Sequence, residues 1–102
     1  MGRTTVEIED ESFVPIRKSV PSDTTVVWKT VGDASHVVDS VQFHDTADEW
    51  QFRTQTLRSG DSAVYSFDSD GIYEYYCGLQ GEEMCGVILV GDISLSESLP
   101  CE

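Results

Sequence analysis

The sequence predicts an all-β fold, a Greek-key β-sandwich of seven or eight strands. Three observations predict it: apolar and polar residues alternate with a period of two in several short runs, turn-forming Gly, Pro, Asp and Ser cluster between those runs, and no stretch of useful length has a helical period. The chain has 102 residues, the size of one domain, and such a domain buries roughly two-thirds of the surface its unfolded chain exposes. Hydrophobic residues make up 39%, enough for a packed core and too many for a chain kept unfolded by its charge. The domain is expected over residues 1–92, with residues 93–102 as a C-terminal tail that packs on it or leaves it.

The first strand is read over Thr4–Ile8, where Val6 and Ile8 share one face and Thr5 and Glu7 the other. Phe13 to Val20 resumes an apolar run, in which Pro15 cannot donate to a ladder and marks an edge or a bulge. Thr24–Lys29 alternates with Val26 and Trp28 on one face, the pattern of a central strand, and His36-Val37-Val38 opens a further β-prone piece. Asp39 to Thr56 is the least regular segment and is expected to be a long connection with at most a short strand or helical turn. Ala63, Tyr65 and Phe67 alternate with Ser62, Val64 and Ser66; Asp68-Ser69-Asp70-Gly71 then reads as a hairpin turn into Ile72–Cys77. Val87–Val90 is a short continuous apolar run, read with Ile72–Cys77 as an interior strand.

Nineteen acidic residues stand against six basic ones, a formal charge of −13 spread along the chain. Nucleic acid is excluded as a partner, because phosphate binding needs clustered Lys and Arg. Two explanations of the charge stand. One is a salt-rich, halophilic setting, where molar salt cuts the Debye length to about 3 Å and removes the self-repulsion. The other is an acidic face that docks a basic redox partner. No window reaches the length of a membrane span, and the first residues lack an apolar signal core, so a cytoplasmic protein is expected, a trimmed exported form being the alternative. A monomer is expected.

The chemistry concentrates in Tyr75–Gly86, where Cys77, Gln80, Met84 and Cys85 lie within twelve residues. A thiolate and a thioether on one loop suit a soft cation, copper above all, since polarizable sulfur matches it. A loop closing two adjacent strands can aim Cys77, position 80 and Met84 into one pocket, and His36 lies at the end of another strand. Alone, a strand cysteine is ordinarily a small core residue and a loop histidine a surface one; Met84 in the same short loop argues for Cys77 as a ligand, while His36 taken by itself does not. His44 is read as a surface histidine, and Trp50 and Phe52 as packing residues under the long connection. Adjacent strand residues point apart, so Cys85 faces away from Met84, where Cys101 on the tail can reach it. A disulfide and two free thiols both fit, a reducing compartment favouring the thiols.

From about Val6 to Val90 the chain resembles the cupredoxins, the blue copper proteins, and among them the plastocyanin-like and halocyanin-like members. The resemblance is carried by Tyr75-Tyr76-Cys77-Gly78-Leu79-Gln80, Met84 and Gly86-Val87-Ile88-Leu89-Val90, by Val27-Trp28-Lys29-Thr30 with His36-Val37-Val38, and by Ser59-Gly60-Asp61 through Gly71-Ile72-Tyr73. It implies a β-sandwich holding one copper ion, with His36 as first imidazole ligand, Cys77 as thiolate and Met84 as long axial ligand. Gln80 occupies the place of the second histidine, and Val37 replaces the polar residue that often ties the ligand loops together. The implied function is electron transfer with a partner protein and no enzymatic turnover. The alternative that Gln80 raises is a module that holds copper(I), or has lost its metal, and acts in binding or interaction.

Overall fold

Two four-stranded sheets face each other in the computed structural model, which describes residues 2–102. In chain order the strands are β1 (Gly2–Ile8), β2 (Phe13–Val14), β3 (Arg17–Val20), β4 (Thr24–Thr30), β5 (Val38–Val41), β6 (Ser62–Phe67), β7 (Gly71–Cys77) and β8 (Gly81–Val90). The first sheet has the order β2-β1-β4-β6 and the second β3-β8-β7-β5. β1 runs parallel to β4 and β3 parallel to β8, the remaining neighbours being antiparallel. No helix among the described residues is long and apolar enough to cross a membrane.

Alternation decides what each strand buries. Val6, Ile8, Val26 and Trp28 from the first sheet meet Tyr75, Cys77, Ile88 and Val90 from the second. Trp28 is the hub, its ring centroid 5.4 Å from Tyr75 and 5.4 Å from Phe52. Across from Tyr75 in the ladder stands Gly86, where a Cβ would come within 2.4 Å of the tyrosine hydroxyl oxygen; the large ring needs the bare backbone of its neighbour.

The edge expected at Pro15 is present on both sides of it: the chain leaves the first sheet, where β2 is an edge, and enters the second, where β3 is an edge. One expectation is corrected. Asp68–Gly71 is not a hairpin turn. β6 pairs with β4 and β7 with β8, so this turn crosses from one sheet to the other. The reason lies in the aromatic residues on both strands, which are buried by stacking across the interior rather than by lying side by side; Phe67 and Tyr73 meet at 4.8 Å between ring centroids. Eight strands result, and the irregular segment contributes the start of its length to β5.

The second sheet is covered on its outer side as well. Ile72, Cys85, Val87 and Leu89 pack there against Ala47, Leu95 and Leu99. Arg17 on the edge strand β3 clamps the tail, donating to Glu102 Oε1 and Oε2 at 2.7 and 2.8 Å and to the Leu95 and Glu97 carbonyls. The ion pair to Arg17, helped by the Leu99 amide, pulls the Glu102 carboxyl down to about 2. Cys85 and Cys101 are joined by a disulfide, with Cα atoms 5.6 Å apart. On the same face Glu74 is fully buried, and its carboxylate accepts from the Phe43 and His44 amides and contacts His44 Nδ1 at 2.6 Å. Those donors replace the water that burial removes.

In the oxidised protein, Cys101→Ser opens the 16-residue disulfide loop and should cost about 3 kcal/mol of unfolding free energy, as loops of that length do; urea denaturation checks it. The hydrogen bond to Glu74 raises the His44 imidazole above its ordinary value. The native state therefore holds the His44 proton more tightly than the unfolded chain. This stabilisation is full below the unfolded value of about 6.5 and is lost as pH rises through the native value. His44→Gln should flatten that fall in a series of denaturation curves across neutral pH, and an unchanged slope would place its origin elsewhere.

Candidate metal centre

Cys77 ends β7, paired with Val38 on β5. One residue on, the Gly78 amide donates to the Val37 carbonyl at 2.9 Å, so backbone ties the two ends together without a polar side chain at position 37. His36 lies just before β5, and its own backbone is held from both sides: its amide donates to Leu57 O at 2.9 Å and its carbonyl accepts from Leu57 N at 2.7 Å. The Val38 amide donates to Thr54 Oγ1 at 3.0 Å. With both backbones fixed, the side chains meet inside the sandwich, His36 Nδ1 standing 3.6 Å from Cys77 Sγ.

Neither group is accessible to water: His36 and Cys77 are both 0% exposed. Burial pushes the His36 imidazole below its ordinary value, against a smaller upward pull from Asp10. Burial thus favours the uncharged ring, which keeps a lone pair for a cation. His36 Nε2 is buried without a hydrogen-bond partner, and Cys77 is a free thiol.

Gly78-Leu79-Gln80 forms the tip of the β7–β8 hairpin, and Gly81 follows with φ of +95°, a left-handed conformation that favours glycine. Cys77 pairs with Gly81 and Tyr76 with Cys85, which leaves Glu82, Glu83 and Met84 without partners on β7. This bulge re-aims the start of β8. Met84 turns inward, 2% exposed, into the core that contains Cys77, while Cys85 turns to the outer face and its disulfide.

Gln80 makes one hydrogen bond through its amide nitrogen. Its Nε2 donates to the Asp10 carbonyl at 2.7 Å, tying the hairpin tip to the β1–β2 connection. Asp10 is the second anchor of this end. Its Oδ1 accepts from the Asp33 and Ala34 amides at 2.8 and 3.0 Å, in the loop that leads to His36. Those amides, Ala34 foremost, hold the Asp10 carboxyl below its ordinary value. A cavity of about 320 Å³ lies at the tip, lined by Glu11, Gln80, Glu83 and Met84. His44 sits on the outer face with Glu74, apart from these residues. Trp50 and Phe52 stack at 5.6 Å within the aromatic core.

The arrangement therefore brings one imidazole and one thiol into contact, with the Met84 thioether in the same core cluster as the thiol. Among the described residues no three His, Cys, Asp or Glu side chains form a group that could hold a metal ion. Such a set suits a soft or borderline cation and not calcium or magnesium. The His36–Cys77 separation of 3.6 Å also fits: a near-tetrahedral ion bonded at about 2.3 Å to sulfur and about 2.0 Å to imidazole nitrogen spans that distance. Asp10, Thr54 and Leu57 support the site without any motif of their own, Asp10 and Thr54 through side-chain oxygens that accept from backbone amides and Leu57 through its backbone.

No protein-family model matches the sequence, and no curated protein matches it. Solved structures do. A purple cupredoxin from Nitrosopumilus maritimus superposes with a TM-score of 0.76 at 22% identity, over 86% of this chain and 99% of that one. A reduced amicyanin variant gives 0.73 at 21% identity, over 84% of this chain and 79% of that one. A copper-containing nitrite reductase from Thermus scotoductus gives 0.74 at 26% identity over 89% of this chain, which corresponds to 23% of the longer enzyme. Two mixed four-stranded sheets, with a Cys-bearing hairpin closing one end, have in this chain the fold of the cupredoxins.

Proposed function

We propose that the protein holds one copper ion between His36, Cys77 and Met84 and carries single electrons between partner proteins, without substrate turnover. The observation that carries the reading is the contact of His36 Nδ1 with Cys77 Sγ at 3.6 Å, both fully buried. Copper bound there supplies one-electron chemistry with ligands acceptable to both of its common oxidation states. The chain's part is to keep those ligands still. Leu57 fixes His36 through two backbone hydrogen bonds, β5 and β8 hold Cys77 from both sides, and the bulge presents Met84. Little then has to move when an electron arrives. The sandwich also keeps water from the thiolate, which protects it from oxidation. The charge of −13 favours docking of a basic partner at low salt.

The Gln80–Asp10 hydrogen bond favours a second reading, a static copper(I) holder. An amide engaged with the Asp10 carbonyl leaves a donor set weighted to sulfur, which suits the monovalent ion. Voltammetry separates the two, a reversible one-electron wave supporting the carrier and its absence the holder.

Titration of the purified protein with copper(II) should give an intense visible thiolate-to-copper band that saturates at one ion per chain. Cys77→Ser should abolish the band while leaving the fold intact by circular dichroism. A protein that retains no metal on desalting and shows no band would overturn the copper reading.

A further inference from the structure

We propose that the free edge of β6 is an interaction surface that takes an extended segment of a partner protein as an added strand, an uncharged stretch with Lys or Arg at its ends. This goes beyond the copper reading and does not depend on it.

A sheet edge presents unpaired backbone groups to any passing strand, and folded proteins blunt such edges by shortening, charging or covering them. Three of the four edges here are treated in that way. β2 is two residues long. β3 carries Arg17 and Lys18, and Arg17 holds the tail. β5 is backed by the connection that follows it, with the Ser40 amide on the Phe52 carbonyl at 2.7 Å and the Thr54 amide on the Val38 carbonyl at 3.0 Å. β6, the outermost strand of the first sheet beside β4, has none of these devices. Its six residues include no proline and no glycine, and in a chain of net charge −13 it is the only strand longer than two residues without a charged side chain.

Register fixes which backbone groups are free. The Thr30 amide donates to the Asp61 carbonyl at 2.9 Å, which extends the β4–β6 ladder beyond Ser62. Alternate residues of an antiparallel strand face the partner, so Ala63, Tyr65 and Phe67 spend their amides and carbonyls on β4. Ser62, Val64 and Ser66 turn theirs outward, and no hydrogen bond among the described residues engages those backbone groups. The flanking side chains suit contact. Val64 is 52% exposed. On the inner side Tyr65 is only partly buried and meets Phe52 at 5.1 Å and Trp50 at 5.2 Å between ring centroids, both also partly buried. A strand added along β6 rests alternate side chains on this aromatic strip, and aromatic residues are the ones enriched in interfaces. Main-chain hydrogen bonds then supply affinity and the strip supplies specificity.

Charge selects the occupant. Asp61 precedes β6, Asp68 and Asp70 follow it, and Glu49 stands next to Trp50, all four exposed. Lys29, the one charged residue of β4, lies on the other side of β6 from this edge. A second copy would bring −13 against −13 and set the same aspartates against one another. A segment whose basic residues flank an uncharged stretch meets them favourably at both ends.

The test follows the amide resonances of the isotope-labelled protein during titration with a short synthetic peptide of alternating threonine and valine flanked by lysines. The Ser62, Val64 and Ser66 amides should shift saturably. The same peptide flanked by glutamates, or methylated on its backbone nitrogens, should bind more weakly by about tenfold or more, equivalent to about 1.4 kcal/mol. Val64→Pro removes one outward amide without touching the ladder to β4, and should weaken binding as much while leaving the circular dichroism unchanged. Should that variant not fold, the methylated peptide on the unaltered chain decides. Absence of saturable shifts, shifts confined to other strands, equal binding of the glutamate-flanked peptide, or indifference to the methylation or to Val64→Pro would each overturn the inference. So would sedimentation of the protein alone as a dimer that Val64→Pro converts to a monomer, which would give the edge to a second copy. None of these outcomes bears on the copper band.

Discussion

The pairing of β5 with β7 is the constraint on which the site depends. It sets Val38 opposite Cys77 and is extended by the Gly78 amide on the Val37 carbonyl. Because a strand alternates, a register in which Val38 faces the core also turns His36, two residues earlier, inward. A slip of one residue would send His36 and Val38 to the outer face together. The position of a buried imidazole beside a buried thiol is thus a consequence of main-chain hydrogen bonding. The side chains add chemistry to a geometry that the backbone has already decided.

Around that register the molecule is braced from two directions. Inside, Trp28 and Tyr75 fill the space between the sheets and fix their separation. Outside, the tail lies against β7 and β8 through Leu95 and Leu99, held by Arg17 and the Cys85–Cys101 disulfide. Cys85 follows Met84 directly, so the strand that presents the thioether inward is anchored outward at the next residue. Asp10 performs the corresponding task for the loops, its side chain holding the approach to His36 and its carbonyl holding Gln80.

Much of the sandwich was legible because alternation survives in short strands. Val26 and Trp28 on β4, and Tyr65 and Phe67 on β6, could be assigned to one face from spacing alone. The same rule separated Cys85 from Met84. What could not be read was partnership across the interior. The turn at Asp68–Gly71 has hairpin composition, and only the packing of Phe67 on Tyr73 shows that it joins different sheets. The role of Asp10 was hidden for a further reason. It acts on Asp33 and Ala34 more than twenty residues away, and on Gln80 through a carbonyl, and a backbone acceptor has no signature in a sequence. The buried Glu74 was equally unreadable, since a single carboxylate in a β-run looks like a solvent-facing residue until the loop bearing His44 is folded over it.

The central claim is that His36 and Cys77 are brought together as ligands of one copper ion. X-ray absorption at the copper edge, on protein loaded with one equivalent, tests it most directly. The geometry predicts one short copper–sulfur bond and the multiple-scattering signature of imidazole, both lost together with Cys77→Ser. A first shell of oxygen and nitrogen alone, with no short sulfur, would contradict it.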